Sequence, residues 1–145
     1  MTLKMTIAEL NTYMDEVFEQ VAGQFEIEAL HEDNMRVRMK IKHDHLRPGG
    51  TVSGPSMFSL ADVGAYFMTL ARIGRLALAV TTNCSIDFMR KPAAGVDLVA
   101  DVRLLKLGRQ LSVCDVLIYS DGSNVPVARA NLTYSIPPSD ASKST

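Results

Sequence analysis

Ile7, Leu10, Met14, Val17, Phe18 and Val21 recur at the three- and four-residue spacing of one helix face, behind a Thr6–Glu9 pair spaced as a capping box. This pattern predicts an amphipathic helix over about residues 6–22, ended near Gly23. The period then drops to two. Phe25 to Leu30 and Met35 to Ile41 read as strands, with His31-Glu32-Asp33-Asn34 as the hairpin turn between them. A loop from His43 to Val52 holds Pro48, Gly49 and Gly50. Ser53 then stands as an N-cap with Pro55 in the first turn, and a long helix follows, from about Gly54 to Arg72. Past Gly74 the alternation returns: Leu78 to Met89, Val96 to Leu107, Gln110 to Ser120 and Val125 to Ile136 read as four long strands. They are broken at Lys91-Pro92, Gly108 and Asp121-Gly122-Ser123-Asn124. Such short connections imply an antiparallel meander of the last three, with the fourth adjoining.

Helix, two strands, long helix, four strands is an α+β order. One antiparallel sheet wrapped around the long helix is the simplest way to bury that helix. The 145 residues suit a single domain, assigned to residues 1–137. The tail from Pro137 to Thr145, rich in Pro and Ser, reads as disordered. A formal net charge of −1 gives no field to attract nucleic acid or an anionic membrane. Cys84 and Cys114 sit in apolar strand-like runs, as buried thiols do, which points to a reducing, cytoplasmic setting. Glu9, Asp15, Glu16 and Glu19 do not fit a secretory leader. The nearly uncharged stretch from Pro48 to Ala71 is too interrupted by Gly, Ser and Pro for a membrane span.

Between Arg47 and Arg72 the only charged residue is Asp62, on a helix that is otherwise apolar nearly all round. Burying an ionised carboxylate is costly unless it is paired, hydrogen-bonded or neutralised. Two readings stay open: Asp62 lies on an exposed strip or has a structural partner, or it is a carboxylate held in an apolar pocket for base or nucleophile work. Gly49, Gly50 and Gly54 at the helix start let backbone approach a ligand, and first-turn amides could polarise a carbonyl. Gly54 and Asp62 are separated by about 12 Å along the axis, too far for one small reacting group to touch both. Two antiparallel copies of the helix could bring one Gly54 near the other Asp62, which suggests a site shared by a dimer.

The run His45-Leu46-Arg47-Pro48-Gly49-Gly50-Thr51-Val52-Ser53-Gly54-Pro55, followed by Phe58-Ser59-Leu60-Ala61-Asp62, resembles the hotdog-fold acyl-CoA thioesterases, in particular the phenylacetate-degradation (PaaI-like) group. The stretch from Asp87 to Gly95 resembles the family's strand and turn ahead of its next long strand, and similar order and spacing run from about residue 25 to 136. The family pattern is His-x-Asn-x-x-Gly-x-x-His-Gly-Gly, an apolar run, then an acid. Gly50, Gly54 and Asp62 match it in register, whereas Arg47 stands at the usual Asn, Ser53 at the His and Pro55 at the last Gly. The resemblance implies a hotdog fold and hydrolysis of an acyl-CoA. The Gly54 amide would polarise the thioester carbonyl while Asp62 of the other subunit attacks or activates water. It further implies a homodimer at minimum, a homotetramer built from dimers, and CoA lying along the subunit surface.

Further contacts follow on weaker grounds. Arg47 would meet an anionic group or a CoA phosphate, and Gly50 and Ser53 flank the same loop. Arg90 and Lys91 before Pro92, and Arg109 in a hairpin turn, suit CoA phosphates. Thr81 matches a hydroxyl with which the family positions water. His43 and His45 are a poor metal pair, so no metal and no cofactor beyond the substrate's own CoA are expected. The eight methionines suit a core or an adaptable acyl pocket. Two other functions share the fold: an enoyl-CoA hydratase or dehydratase, whose histidine would have to be His43 or His45, and a non-catalytic acyl-CoA-binding protein.

Overall fold

A computed structural model describes residues 2–138; the predicted tail from residue 139 onward lies outside them. Helix α1 (Ile7–Val17) begins where the capping box predicts: Thr6 Oγ1 accepts from Glu9 N–H at 3.1 Å and Glu9 accepts from Thr6 N–H at 3.0 Å. It ends five residues short of the predicted limit, because Phe18 leaves helical geometry (φ −139°, ψ 57°) and one 3₁₀ turn, Glu19–Val21, follows. A 3₁₀ turn also places residues three apart on one side, so the spacing of Phe18 and Val21 could not mark the break.

Helix α2 (Gly54–Ile73) is capped by Ser53, whose hydroxyl accepts from Ser56 N–H at 3.3 Å. It stops at Gly74, whose φ of 93° lies in the left-handed region that favours glycine. The strands are β1 (Phe25–Leu30), β2 (Asn34–Met39), β3 (Val80–Phe88), β4 (Leu98–Leu107), β5 (Leu111–Ser120) and β6 (Pro126–Ser135). They form one antiparallel sheet in the order β1-β2-β4-β5-β6-β3, with the predicted meander intact. The second strand starts one residue earlier than predicted, where Asn34 pairs with Arg103, and ends two residues earlier, where Ile41 N–H turns to Asp97 Oδ1 (2.9 Å) beyond the ladder. The third starts late, since Leu76 and Ala79 are held in turns ahead of it.

Alternate residues of the sheet (Val37, Met39, Ala100, Val102, Val116, Ile118, Ala130 and Leu132) are buried together with α2. At Gly64 the helix comes so close to β4 that an added Cβ would stand 2.8 Å from Val102 Cγ2. The α2–β3 connection is clamped to both helices: to α1, where Arg75 pairs with Glu9 (3.2 Å) and Tyr13 Oη accepts from Ala77 N–H (3.2 Å), and to α2, where Tyr66 donates to Ala77 O (2.7 Å). Strand β3 is an edge, paired on one side only, and it leaves Val80 and Phe88 more than half exposed. Among the described residues no helix is long and apolar enough to cross a membrane.

Candidate active site

Phe58, Asp62 and Tyr66 follow one another at four-residue spacing on the side of α2 that the sheet does not fully cover. Asp62 is half-buried there. Its Oδ1 accepts two hydrogen bonds, from Thr81 Oγ1 at 2.6 Å and from Tyr134 Oη at 2.8 Å. The Tyr134 hydroxyl also stands 3.0 Å from the main-chain oxygen of Asp62. No described residue donates to Oδ2. Antiparallel pairing of β3 with β6 makes Thr81 and Tyr134 direct neighbours, and α2 lies over that pair. Asp62 thus combines features of both readings open in the sequence: it sits on a half-exposed strip, and hydroxyls hold it. Burial, then the charge of Asp62, pushes the Tyr134 phenol far above its ordinary range. The same two causes raise the Cys84 thiol on β3, so Cys84 stays a thiol rather than a nucleophilic thiolate.

A cleft of about 420 Å³ opens beside the carboxylate. Its walls include Val17 and Phe18 from the end of α1, Val63 and Tyr66 from α2, and Ala79 and Val80 from the start of β3. The early end of α1 therefore matters to the site, because it places Val17 and Phe18 on the rim. The helix start lies elsewhere. Ser53 Oγ takes the Ser56 amide and Pro55 has none, which leaves the Gly54 N–H without a partner among the described residues. The Phe88 ring packs against Gly54, 3.2 Å from where a Cβ would be. Gly54 is not part of the cleft that Asp62 lines. Within one copy, the carboxylate and the free amide remain apart.

The sequence model of the thioesterase superfamily matches residues 49–127, a span that holds the helix start, Asp62 and Thr81. The chain belongs to the thioesterase superfamily, and its fold is the hotdog fold. A crystal structure described as a "putative thioesterase", from Silicibacter sp., is 56% identical with a TM-score of 0.89, covering 95% of this chain and 96% of that one. The phenylacetic acid degradation protein PaaI of Thermus thermophilus shares the fold at 23% identity and a TM-score of 0.68, over 87% and 99% of the two chains. A "putative esterase" of Archaeoglobus fulgidus is 32% identical over 96 residues, 66% of this chain. The chain spans 59% of that curated relative's length.

Against the pattern of this superfamily, the candidate residues fall into separate groups. Thr81 meets Asp62 directly. Arg47 and Gly50 form the turn before α2, where Gly50 N–H donates to Arg47 O at 3.0 Å, and both are exposed. Ser53 is engaged as the helix cap. Arg90 reaches back to Pro126 O (2.8 Å), and Lys91 is exposed beside it, past the Phe88 end of β3. Arg109 lies in the β4–β5 turn, at the Val80 end of β3, where Gln110 O accepts from Ile136 N–H. The strand between these ends is about 26 Å long at 3.3 Å per residue, so within one copy Arg109 and the Arg90–Lys91 pair cannot hold one phosphate together. His45 is buried, with Nδ1 accepting from Lys42 N–H at 2.8 Å, while His43 is exposed. Tyr134 was missing from the sequence-based set. It falls in the predicted strand from Val125 to Ile136, but its nearness to Asp62 depends on the β6–β3 register, for which the chain carries no local signal.

Proposed function

We propose that the protein is a cytoplasmic enzyme that hydrolyses an acyl-CoA thioester to free acid and CoA, with Asp62 as its carboxylate. The observation that carries this reading is the half-buried Asp62 at a cleft walled in part by apolar side chains, anchored through Oδ1 with no described residue donating to Oδ2. A carboxylate so held can attack the thioester carbon or take a proton from attacking water. As nucleophile, Asp62 forms an acyl-aspartyl anhydride as the CoA thiolate leaves and takes a proton from solvent, and water then hydrolyses the anhydride to free acid. As base, Asp62 takes a proton from the water that adds to the thioester carbon and passes it to the CoA sulfur as the C–S bond breaks. Val17, Phe18, Val63 and Val80 suit an uncharged, apolar acyl group. Neither His43 nor His45 lines the cleft beside Asp62, and His45 is tied to its own loop through Nδ1, which argues against the hydratase reading.

Each site is shared by two copies in this proposal. Pairing two β3 edges antiparallel about a two-fold axis near Cys84 would set Val80 of one copy opposite Phe88 of the other. The Gly54 amide beside Phe88 would then approach the other copy's Asp62, to polarise the carbonyl. Covering the exposed Val80, Phe88, Met89 and Phe58 favours such pairing, and a homotetramer would follow from association of two dimers. Arg47, Gly50, Ser53, Arg90, Lys91 and Arg109 remain candidates for contacts to CoA. A thiol-release assay over short, medium, long and aromatic acyl-CoAs tests the activity. Free CoA should appear with the wild type and fall about 10²–10⁴-fold with Asp62→Asn. A folded protein inert toward the whole panel would favour the acyl-CoA-binding alternative.

A further inference from the structure

Two donors converge on a single oxygen of Asp62. Thr81 Oγ1 and Tyr134 Oη both reach Oδ1, at 2.6 and 2.8 Å, and neither reaches Oδ2. Tyr134 is 4% exposed, and its ring lies 5.8 Å from that of Tyr66, centroid to centroid. The Tyr66 hydroxyl is itself committed to Ala77 O. The phenol is therefore held by packing and cannot swing away. Its nearness to the Asp62 main-chain oxygen (3.0 Å) makes its hydroxyl a gauge between that residue's backbone and its carboxylate.

We propose that Tyr134 is a positioning residue: its hydroxyl, with that of Thr81, pins Oδ1 of Asp62 and so makes Oδ2 the oxygen that meets water or the thioester. The inference rests on the reading of Asp62 as the reacting carboxylate. Hydrogen bonds to one carboxylate oxygen draw charge onto it and stabilise the anion as a whole. The unbonded oxygen meanwhile stays open to accept a proton. Because its environment disfavours ionisation, the Tyr134 phenol keeps its proton and remains a donor throughout the neutral and mildly alkaline range.

Tyr134→Phe removes the hydroxyl and keeps the ring against Tyr66. With the acyl-CoA that the wild type turns over best, kcat should fall about 10- to 100-fold with KM little changed. The acid limb of the kcat profile, which loss of packing alone would leave in place, should move to higher pH when the donor is removed. Thr81→Val should shift that limb the same way, and Thr81→Ser should restore it. If Tyr134→Phe folds poorly, 3,5-difluorotyrosine at position 134 keeps the hydroxyl as a stronger donor and should move the limb to lower pH. Wild-type kcat and an unmoved acid limb in the variants, alongside an inactive Asp62→Asn, would overturn the positioning role while leaving Asp62 in place. A fall in kcat with no shift of the limb in either direction would mark Tyr134 as structural only and equally overturn it. A fully active Asp62→Asn would instead remove the reading on which the inference rests.

Discussion

From Val63 to Arg72 every residue of α2 is buried, whereas in the stretch from Gly54 to Asp62 Pro55 and Phe58 face solvent and Gly54, Ser56, Ser59 and Asp62 are half covered. The inner half lies between the sheet and the N-terminal segment, with Lys4 N–H donating to Ala71 O at 2.7 Å. None of the described residues closes over the outer half in that way, although it carries no more charge than the single Asp62. A helix buried on all sides serves the core. A helix left apolar where its own chain does not cover it is fitted to something else, and the carboxylate and the free Gly54 amide both belong to that outer half.

The contrast can be broken by cutting equivalent aromatic rings from the two halves. Phe67, 1% exposed, should cost about 3–5 kcal/mol as Phe67→Ala in urea unfolding. Phe58, 37% exposed, should change subunit association more than folding, with Phe58→Ala raising the dimer dissociation constant about tenfold in sedimentation velocity. Equal losses of folding stability in the two variants would erase the distinction. The two glycines give a smaller version of the same test. Gly64→Ala drives a methyl into Val102, inside the core, and should cost about 1–3 kcal/mol. Gly54→Ala meets only the half-exposed Phe88 ring, which can turn aside, and should cost less than about 1 kcal/mol.

The smallest effect is on alkaline stability. Burial holds Tyr66 up to about 12 and Cys114 up to about 11, and Tyr134 higher still. Groups whose folded pKa is raised contribute stability in full below their unfolded values, near 9–10, and lose it as pH rises through the folded ones. Stability should therefore fall above about pH 9, each group adding at most about 1.4 kcal/mol per pH unit. Tyr66→Phe should flatten that fall between about pH 10 and 12. An unchanged slope in thermal melts across that window would place Tyr66 in water rather than in packing.

Most of the fold was legible in the chain because its signals are local. Thr6 with Glu9, Ser53 before Pro55 and the two-residue period after Gly74 each report their own segment. Asp62 stood out because a lone charge in an apolar helix needs no partner to be noticed. What stayed hidden depends on residues far apart in the chain. Tyr134 reaches Asp62 only through the β3–β6 register, and Phe88 reaches Gly54 only because β3 runs back along α2. The break at Phe18 was hidden for a different reason, since helical and 3₁₀ turns share the three-residue repeat. Arg90, Lys91 and Arg109 stand out in the sequence only as cations near turns, and turns lie at both ends of the sheet.

The central claim is that the outer half of α2 is completed by a second copy, so that Gly54 of one chain works with Asp62 of the other. Mixing two inactive variants, Asp62→Asn and Gly54→Trp, tests it most directly. After subunit exchange of equal amounts, half the dimers are mixed and each mixed dimer holds one intact site of its two, so activity should rise to about a quarter of wild type. Exchange is followed independently with differently tagged chains. Recovery to about that level is the predicted result; verified exchange with activity no higher than that of either variant alone would contradict the shared site.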